Sequence, residues 1–240
     1  MAHTTNRFSR YFFEALGLGL FMFSAGFFDM LIDNPNLYLR HQLHSDLLRR
    51  FLIGLTMGLT AFFIFTSKFG KESGAYINPS VTLVRYYLHD ISFRESIFYI
   101  IFQFAGGAFG LYLVYFIFPD WIRDPSVNYI VTKPKDGDVF IAFIFEFAIS
   151  FFLIVVVLFM EDSKRWSSYT PYVVSILIVL YITFEAPYSG MSMNPARTFA
   201  SAVVSNQWSN FWLYCLAPSL GMLTGGVIYK FKHLKLNQLS

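Results

Sequence analysis

Apolar residues are concentrated in six stretches that polar segments separate. These stretches cover residues 11–32, 48–66, 95–118, 139–160, 171–186 and 208–231. A helix needs about 20 mostly apolar residues to cross the hydrocarbon core of a bilayer, and each stretch reaches or approaches that length. The first stretch follows two arginines as in a signal peptide, but it contains Glu14 and shows no small-residue cleavage site. The pattern therefore predicts six spanning helices, including the first.

Two further apolar segments, residues 78–88 and 194–204, are too short to cross a bilayer. Each begins with Asn-Pro, because Asn78 precedes Pro79 and Asn194 precedes Pro195. Asn is a favoured N-cap, and Pro suits the first helical position because the N–H that it lacks would have no partner there. We predict two short helices that start abruptly and enter the membrane only part of the way.

The order of these elements repeats between residues 11–118 and residues 139–231. Each half has a first helix that carries a glutamate (Glu14 or Glu146), a second helix, an Asn-Pro half-helix and a third helix with glycines. The first matched glycine follows the Asn by 28 residues in one half and by 27 in the other. Because each half holds an odd number of spans, the second half must insert upside down. We predict one domain over residues 1–240, an all-α membrane protein built as an inverted repeat.

The composition is that of a chain surrounded by lipid. Charged residues make up 14% of the chain and hydrophobic residues 55%, whereas charged residues average about 25% in soluble domains. The net charge of +3 is too small to indicate a nucleic-acid partner, and the single cysteine, Cys215, excludes an intrachain disulfide. No nucleophile–base pair or phosphate-binding loop indicates an enzyme. We expect no catalytic residue, no cofactor, no metal and no nucleic-acid partner.

Lysine and arginine are distributed unevenly between the polar segments. If the first loop lies outside, 11 of these residues lie inside and 7 outside. Cytoplasmic loops carry the excess of Lys and Arg in membrane proteins. We therefore predict that both termini are cytoplasmic.

The two Asn-Pro segments carry the most specific signal in the chain. They read SGAYINPSVT at residues 73–82 and SMNPART at residues 192–198, with Gln103 and Pro218 in the third helices. From residue 11 to residue 229 the sequence resembles the aquaporin, or major intrinsic protein, family. The resemblance implies six transmembrane helices plus two re-entrant half-helices, a homotetramer, and a place in the plasma or inner membrane. The first motif departs from the family's Asn-Pro-Ala at Ser80, and the loop before it is longer than usual.

The resemblance implies a passive channel for water and small neutral solutes that excludes protons and ions. Half-helices that meet N-terminus to N-terminus would oppose cations with their dipoles. Asn78 and Asn194 would donate hydrogen bonds to a passing oxygen at the pore centre. Glu14 and Glu146 would support the loops by accepting their backbone N–H groups, since irregular backbone at membrane depth needs internal partners.

Four residues are expected to form the selectivity filter. Arg197 follows the second Asn by three residues, and the family's other ring positions fall on Met191, Ile182 and, in the second helix, Ile53. This ring has no aromatic residue and no histidine, so we expect it to be less exclusive for water than the usual water filter. By contrast, Thr198, Ala202 and Tyr214 match the water-conducting pattern, although Cys215 replaces its usual Trp.

Three alternatives remain open from the sequence. An aquaglyceroporin-type channel would conduct glycerol or other small polar solutes. An ion-coupled secondary transporter can also use inverted repeats and broken helices, but it needs an ionisable residue at the midplane. A non-conducting scaffold of the same fold would show no osmotic permeability. Glu185, close to the second motif, is expected to cap loop amides or to pair with Arg197.

Overall fold

The computed structural model describes residues 6–239, with side chains for residues 6–232, and this part of the chain contains helices and no strand. We number its eight main helices α1 to α8. They are α1 (Arg7–Asp33), α2 (Asp46–Thr66), α3 (Pro79–Tyr87), α4 (Phe93–Ile117), α5 (Val139–Asp162), α6 (Thr170–Phe184), α7 (Pro195–Ser205) and α8 (Phe211–Leu239). Short helical turns at Tyr38–Gln42, Lys68–Ser73, Pro119–Ile122 and Ala186–Ser189 lie in the connections.

Six of the described helical segments are long and apolar enough to cross a membrane, and they correspond to α1, α2, α4, α5, α6 and α8. The predicted spans are confirmed, and their ends differ by only a few residues. The two short helices α3 and α7 follow Asn78 and Asn194, whose side-chain oxygens accept hydrogen bonds from the first turn of each helix. As predicted, proline occupies the first position of each short helix.

Local capping explains where several long helices begin. Ser45 caps α2 and Asp138 caps α5 by accepting hydrogen bonds from backbone N–H groups in the first turn. At α4, Ser92 and Glu95 form a capping box, in which each side chain bonds the backbone of the other. These caps lie at the ends of the apolar stretches, so each helix begins where the chain leaves the polar loops.

The two halves of the chain are interlocked. Helix α1 packs on α4, and α5 packs on α8, which are equivalent pairs in the two halves. Each half-helix, however, makes most of its helix contacts with the third helix of the opposite half. Helix α7 packs against α4, and α3 packs against α8. Helix α2 packs against α6 across the same junction. The halves therefore share one core.

Glycines set the closeness of the α1–α4 and α5–α8 pairs. A Cβ atom at Gly106 would overlap the carbonyl group of Ala15, and one at Gly110 would overlap that of Gly19. In the second half, a Cβ atom at Gly221 would overlap the carbonyl oxygen of Phe147. The backbones of these helices thus touch directly, as Gly-x-x-x-Gly spacing allows.

The outward faces of the long helices are strongly apolar. Phe109, Phe116 and Phe140 expose 69%, 83% and 73% of their surface, which would be costly in water over so large an area. Inside the bundle the described core is filled by aliphatic and methionine side chains, such as Leu18, Met22 and Ile154. We call the end of the bundle where α1 begins the inner end, and the end where α1 stops the outer end.

Candidate functional site

The loops that lead into the two half-helices have the same backbone conformation. Gly74 and Gly190 lie four residues before Asn78 and Asn194, and their φ angles are 93° and 83°. Two further residues of each loop, Ala75 and Ile77 in the first and Met191 and Met193 in the second, have φ between 40° and 52°. Left-handed backbone costs about 1 kcal/mol or more for such residues, so it persists only where the surroundings impose it.

Glu14 and Glu146 supply part of that constraint. Glu14 accepts the backbone N–H groups of Tyr76 and Ile77 at 3.0 and 2.6 Å. Glu146 accepts those of Ser192 and Met193 at 2.6 and 2.7 Å. Both glutamates are fully buried, and neither lines the central cavity. A carboxylate that accepts two N–H groups in this way fixes the loop in front of each half-helix.

Tyrosines provide a second matched support that the sequence analysis missed. The Tyr99 hydroxyl donates to the carbonyl oxygen of Ser73 at 2.7 Å, and the Tyr214 hydroxyl to that of Ser189 at 2.5 Å. Both serines stand five residues before the half-helix Asn. The sequence does mark the two serines as equivalent, because the motif Ser-Gly-x-x-x-Asn-Pro occurs once in each half.

The N-terminal ends of the half-helices are joined by their Asn side chains. Nδ2 of Asn78 donates to the carbonyl oxygen of Met193, and Nδ2 of Asn194 donates to that of Ile77, each at 2.8 Å. Oδ1 of each Asn accepts from its own half-helix, so both side chains are fixed at both ends. Each Nδ2 carries a second hydrogen that these contacts leave available.

Arg197 is held by a loop that sequence reasoning treated only as a polar connection. Its Nη1 donates to the carbonyl oxygen of Ile130 at 2.8 Å. Ile130 ends the 3₁₀ turn Asn128–Ile130, within the connection between α4 and α5. Thr132 of the same connection lies against Thr198, with 3.1 Å between the hydroxyl oxygens. This connection therefore folds back over the outer end of the bundle and fixes the arginine.

A cavity of about 440 Å³ contains the predicted pore and filter residues. Asn78 and Asn194 line it together with the four predicted ring residues, which are Ile53, Ile182, Met191 and Arg197. Pro79 and Pro195 are buried at the half-helix starts and do not line it. The cavity continues past Met57 and Val81 to Arg85 and Glu161 near the inner end. It thus extends along the bundle on both sides of the Asn pair.

The expectation for Glu185 was wrong. This carboxyl is buried just beyond the end of α6, and neither of its oxygens has a hydrogen-bond partner among the described residues. The loop amides of Ser192 and Met193 donate to Glu146 instead, and the described contact of Arg197 is with Ile130. Burial, followed by the charge of Glu146, raises the pKa of Glu185 to about 8.

Comparison with known proteins identifies the family. The sequence matches the family model described as "Major intrinsic protein" over residues 2–229. The chain belongs to the major intrinsic protein family. It is similar to aquaporin-4 of Mus musculus, with 31% identity over 183 residues that cover 75% of this chain and 55% of that protein. It is also similar to the lens fiber major intrinsic protein of Lithobates pipiens, with 31% identity over 181 residues that cover 75% of this chain and 68% of that protein.

The fold of this major intrinsic protein is shared with a solved structure. The aquaglyceroporin from Plasmodium falciparum superimposes with a TM-score of 0.81 and 20% identity, over 98% of this chain and 100% of the other. The matched region spans only about half the length of the aquaporin-4 relatives. Membership of this family, together with six apolar helices among the described residues, identifies the chain as a multi-pass membrane protein.

Proposed function

We propose that this major intrinsic protein is a passive channel for water and small neutral solutes, and that it excludes protons and ions. The observation that carries the proposal is the cross-bonded pair Asn78 and Asn194, which lines the same cavity as Arg197. Each amide offers its remaining hydrogen to a solute oxygen. A water molecule whose lone pairs are held in this way cannot pass a proton along a hydrogen-bonded chain.

The two half-helix N-termini add an electrostatic barrier. Each N-terminus carries roughly half a positive charge from the aligned peptide dipoles, and the two ends meet at the Asn pair. Arg197 adds positive charge toward the outer end: its bonded partner, Ile130, contributes a neutral carbonyl, and the charges of Asp29 and Glu146 act on it without a direct ion pair among the described residues. Positive charge at both places raises the energy of a dehydrated cation in the cavity, which is how an arginine and half-helix dipoles act in aquaporin-type pores.

Glycerol conduction is the second candidate, and the ring residues favour it in addition to water. Ile53, Ile182 and Met191 offer apolar surface that can contact a carbon backbone, while Arg197 offers donors to hydroxyls. The ring carries neither the histidine nor the aromatic residue of a water-exclusive filter. We therefore propose that the channel passes water and small polyols.

A coupled transporter fits the contacts less well. Such a protein needs an ionisable group at the midplane that can exchange ions or protons with the pathway. Glu14 and Glu146 are buried behind the loops, engaged by backbone N–H groups, and absent from the cavity lining. Their contacts support a structural role and hence a passive channel.

The placement in the cell is part of the proposal. We propose a homotetramer in the plasma or inner membrane with both termini in the cytoplasm, so that the inner end faces the cytoplasm. The excess of Lys and Arg in the segments at the inner end supports this orientation. Exposed apolar surface on the outward helix faces supports contact with lipid and with neighbouring subunits.

Stopped-flow light scattering of proteoliposomes tests the proposal. In a glycerol gradient, vesicles with the wild-type protein should shrink and re-swell, whereas in a sorbitol gradient they should shrink and stay small. Arg197→Ala should keep water permeation and admit ions that the wild type excludes. Wild-type vesicles that respond like protein-free lipid would refute the channel, and unchanged ion exclusion in Arg197→Ala would refute the assignment of the filter.

A further inference from the structure

An arginine also lines the cavity near its inner end. Arg85 follows Val81 by one helical turn on α3, so the two side chains share a face of that half-helix. Both residues line the cavity that contains Asn78 and Arg197. Arg85 is therefore placed on the proposed conduction path, on the opposite side of the Asn pair from the predicted filter.

The guanidinium of Arg85 is fixed by two carboxylates. Its Nη2 lies 2.6 Å from Oε2 of Glu161, and its Nη1 lies 3.3 Å from Oδ2 of Asp90. The Arg85 side chain is only 14% exposed, compared with 41% and 44% for the two acids. The arginine is thus the buried member of the cluster, and the acids hold it from the side of the solvent.

An aromatic ring supports the same guanidinium from another direction. The central carbon of the Arg85 guanidinium lies 5.4 Å from the centre of the Tyr76 ring. Tyr76 is anchored in turn by its backbone N–H to Glu14, and it also lines the cavity. Arg85 is therefore braced between an acid from α5 and the loop in front of α3, which fixes its guanidinium beside the cavity at this level.

The electrostatic setting of Arg85 differs from that of Arg197. Arg197 donates to a neutral carbonyl, and the charges of Asp29 and Glu146 act on it without a direct ion pair among the described residues. Arg85, by contrast, is directly ion-paired with Glu161 and Asp90, whose charges compensate its own. A compensated guanidinium keeps its bulk and its N–H donors but loses most of its long-range repulsion of cations. Its effect on a solute should come mainly from size and hydrogen bonding.

We propose that Arg85 forms a second selectivity filter at the inner mouth of the channel, positioned by Glu161, which restricts solutes larger than water. The inference rests on the proposed function, because it takes the cavity as the conduction path. Replacement of Arg85 by a small side chain should widen this level and leave the outer filter and the Asn pair unchanged. The bulk and the N–H donors of Arg85 at the inner mouth would then set the ratio of glycerol to water permeability.

The first experiment compares water and glycerol permeability of proteoliposomes that contain wild type, Arg85→Ala or Arg94→Ala. Arg94 is an exposed arginine at the same end that does not line the cavity, so it controls for charge. We expect Arg85→Ala to raise the glycerol-to-water ratio about tenfold, equivalent to about 1.4 kcal/mol in the barrier, and Arg94→Ala to leave it unchanged. An unchanged ratio in Arg85→Ala, with wild-type vesicles that conduct water, overturns the inner filter alone. Wild-type vesicles that conduct neither solute overturn the proposed function itself.

A double-mutant comparison tests Glu161 as a positioning residue. Glu161→Gln should lower water permeability when Arg85 is present, because the released guanidinium can swing into the passage. The same substitution in an Arg85→Ala background should have no effect. Equal effects in the two backgrounds would show that Glu161 acts independently of Arg85 and would overturn its positioning role.

Chemical modification provides a readout that does not depend on the alanine variant folding. Cys215 is the only cysteine of the chain, so Arg85→Cys in a Cys215→Ser background carries a single thiol. A cationic methanethiosulfonate reagent applied at the inner side should label this thiol and reduce water permeability to that of lipid. Labelling with unchanged permeability, or a thiol that the reagent does not reach, would place Arg85 outside the passage and overturn the proposal.

Discussion

The side-chain amide of Asn194 donates a hydrogen bond to the carbonyl oxygen of Ile77, 2.8 Å away in the loop of the opposite half. Asn78 makes the reciprocal bond to Met193. Each Asn therefore caps its own half-helix and ties that half-helix to the loop of the other. One residue type performs both functions at the junction of the two halves.

Asn194→Asp should weaken this junction. The carboxylate has no N–H to donate, so it would leave the buried Ile77 carbonyl without its partner and place two oxygens against each other. We expect a loss of about 1–3 kcal/mol in the free energy of unfolding, measured by thermal unfolding in detergent. Asn206→Asp is the control, since Asn206 is exposed at the end of α7. Equal stability of the two variants would contradict the proposed tie.

Glu146→Gln should destabilise the second loop. Glutamine has one acceptor oxygen instead of two, and its amide N–H₂ would face the N–H of Ser192 or Met193. Hydrogen bonds to charged groups contribute about 1.5–3 kcal/mol each, so a drop of that order in the free energy of unfolding is expected. Glu185→Gln is a matched control, because Glu185 is also buried but has no hydrogen-bonded oxygen. If the two variants unfolded at the same temperature, the loop contacts of Glu146 would not contribute to stability.

Glu185 should make stability depend on pH. Its pKa is raised to about 8 in the folded chain by burial and by the charge of Glu146, whereas an unfolded Glu has a pKa of about 4.3. The folded chain then binds more protons than the unfolded chain, so the free energy of unfolding falls as pH rises from about 4.3 to about 8. Glu185→Gln should therefore gain stability relative to wild type across this window in thermal unfolding. A difference that is constant with pH would contradict the raised pKa.

Gly110→Ala should prevent close packing of α1 and α4. The added methyl group would overlap the carbonyl group of Gly19, which belongs to the backbone and cannot rotate away. Overpacking of this kind costs typically about 1–3 kcal/mol, and we expect a lower yield of folded protein in detergent. Gly107→Ala is a milder comparison on the same helix, because its methyl would stop 3.2 Å from a Leu18 side-chain atom and 3.3 Å from the Ala196 carbonyl oxygen, which is tight but not an overlap. Equal yields of both variants would show that the helix contact tolerates a wider spacing.

The sequence predicts the scaffold well because membrane helices are specified locally. Length and apolar content define each span, and Asn78-Pro79 and Asn194-Pro195 define the half-helix starts through capping. The inverted repeat follows from the odd number of spans in each half. All of these features depend on residues that are close together in the chain.

The remaining contacts could not be predicted because they depend on tertiary placement. Ile130 binds Arg197 through a backbone carbonyl, and any residue type could supply such a group. Arg85 looks like an ordinary inner-end arginine in the sequence, and only the tertiary fold brings its long side chain to Glu161 of α5 and to the cavity. Glu185 resembles a loop cap by its position in the sequence, but the N–H groups of Ser192 and Met193 donate to Glu146 instead.

If the cavity lined by Asn78 and Asn194 is the path of water, a bulky side chain inside it should block permeation. Ile182 lines this cavity on α6, and Leu180, two residues earlier, points away from it with 43% of its surface exposed. Stopped-flow water permeability should be compared for proteoliposomes with wild type, Ile182→Trp and Leu180→Trp, at equal amounts of folded protein. Ile182→Trp is expected to lower permeability to nearly that of lipid, and Leu180→Trp is expected to conduct like wild type. Undiminished permeability in Ile182→Trp would show that water does not pass through this cavity.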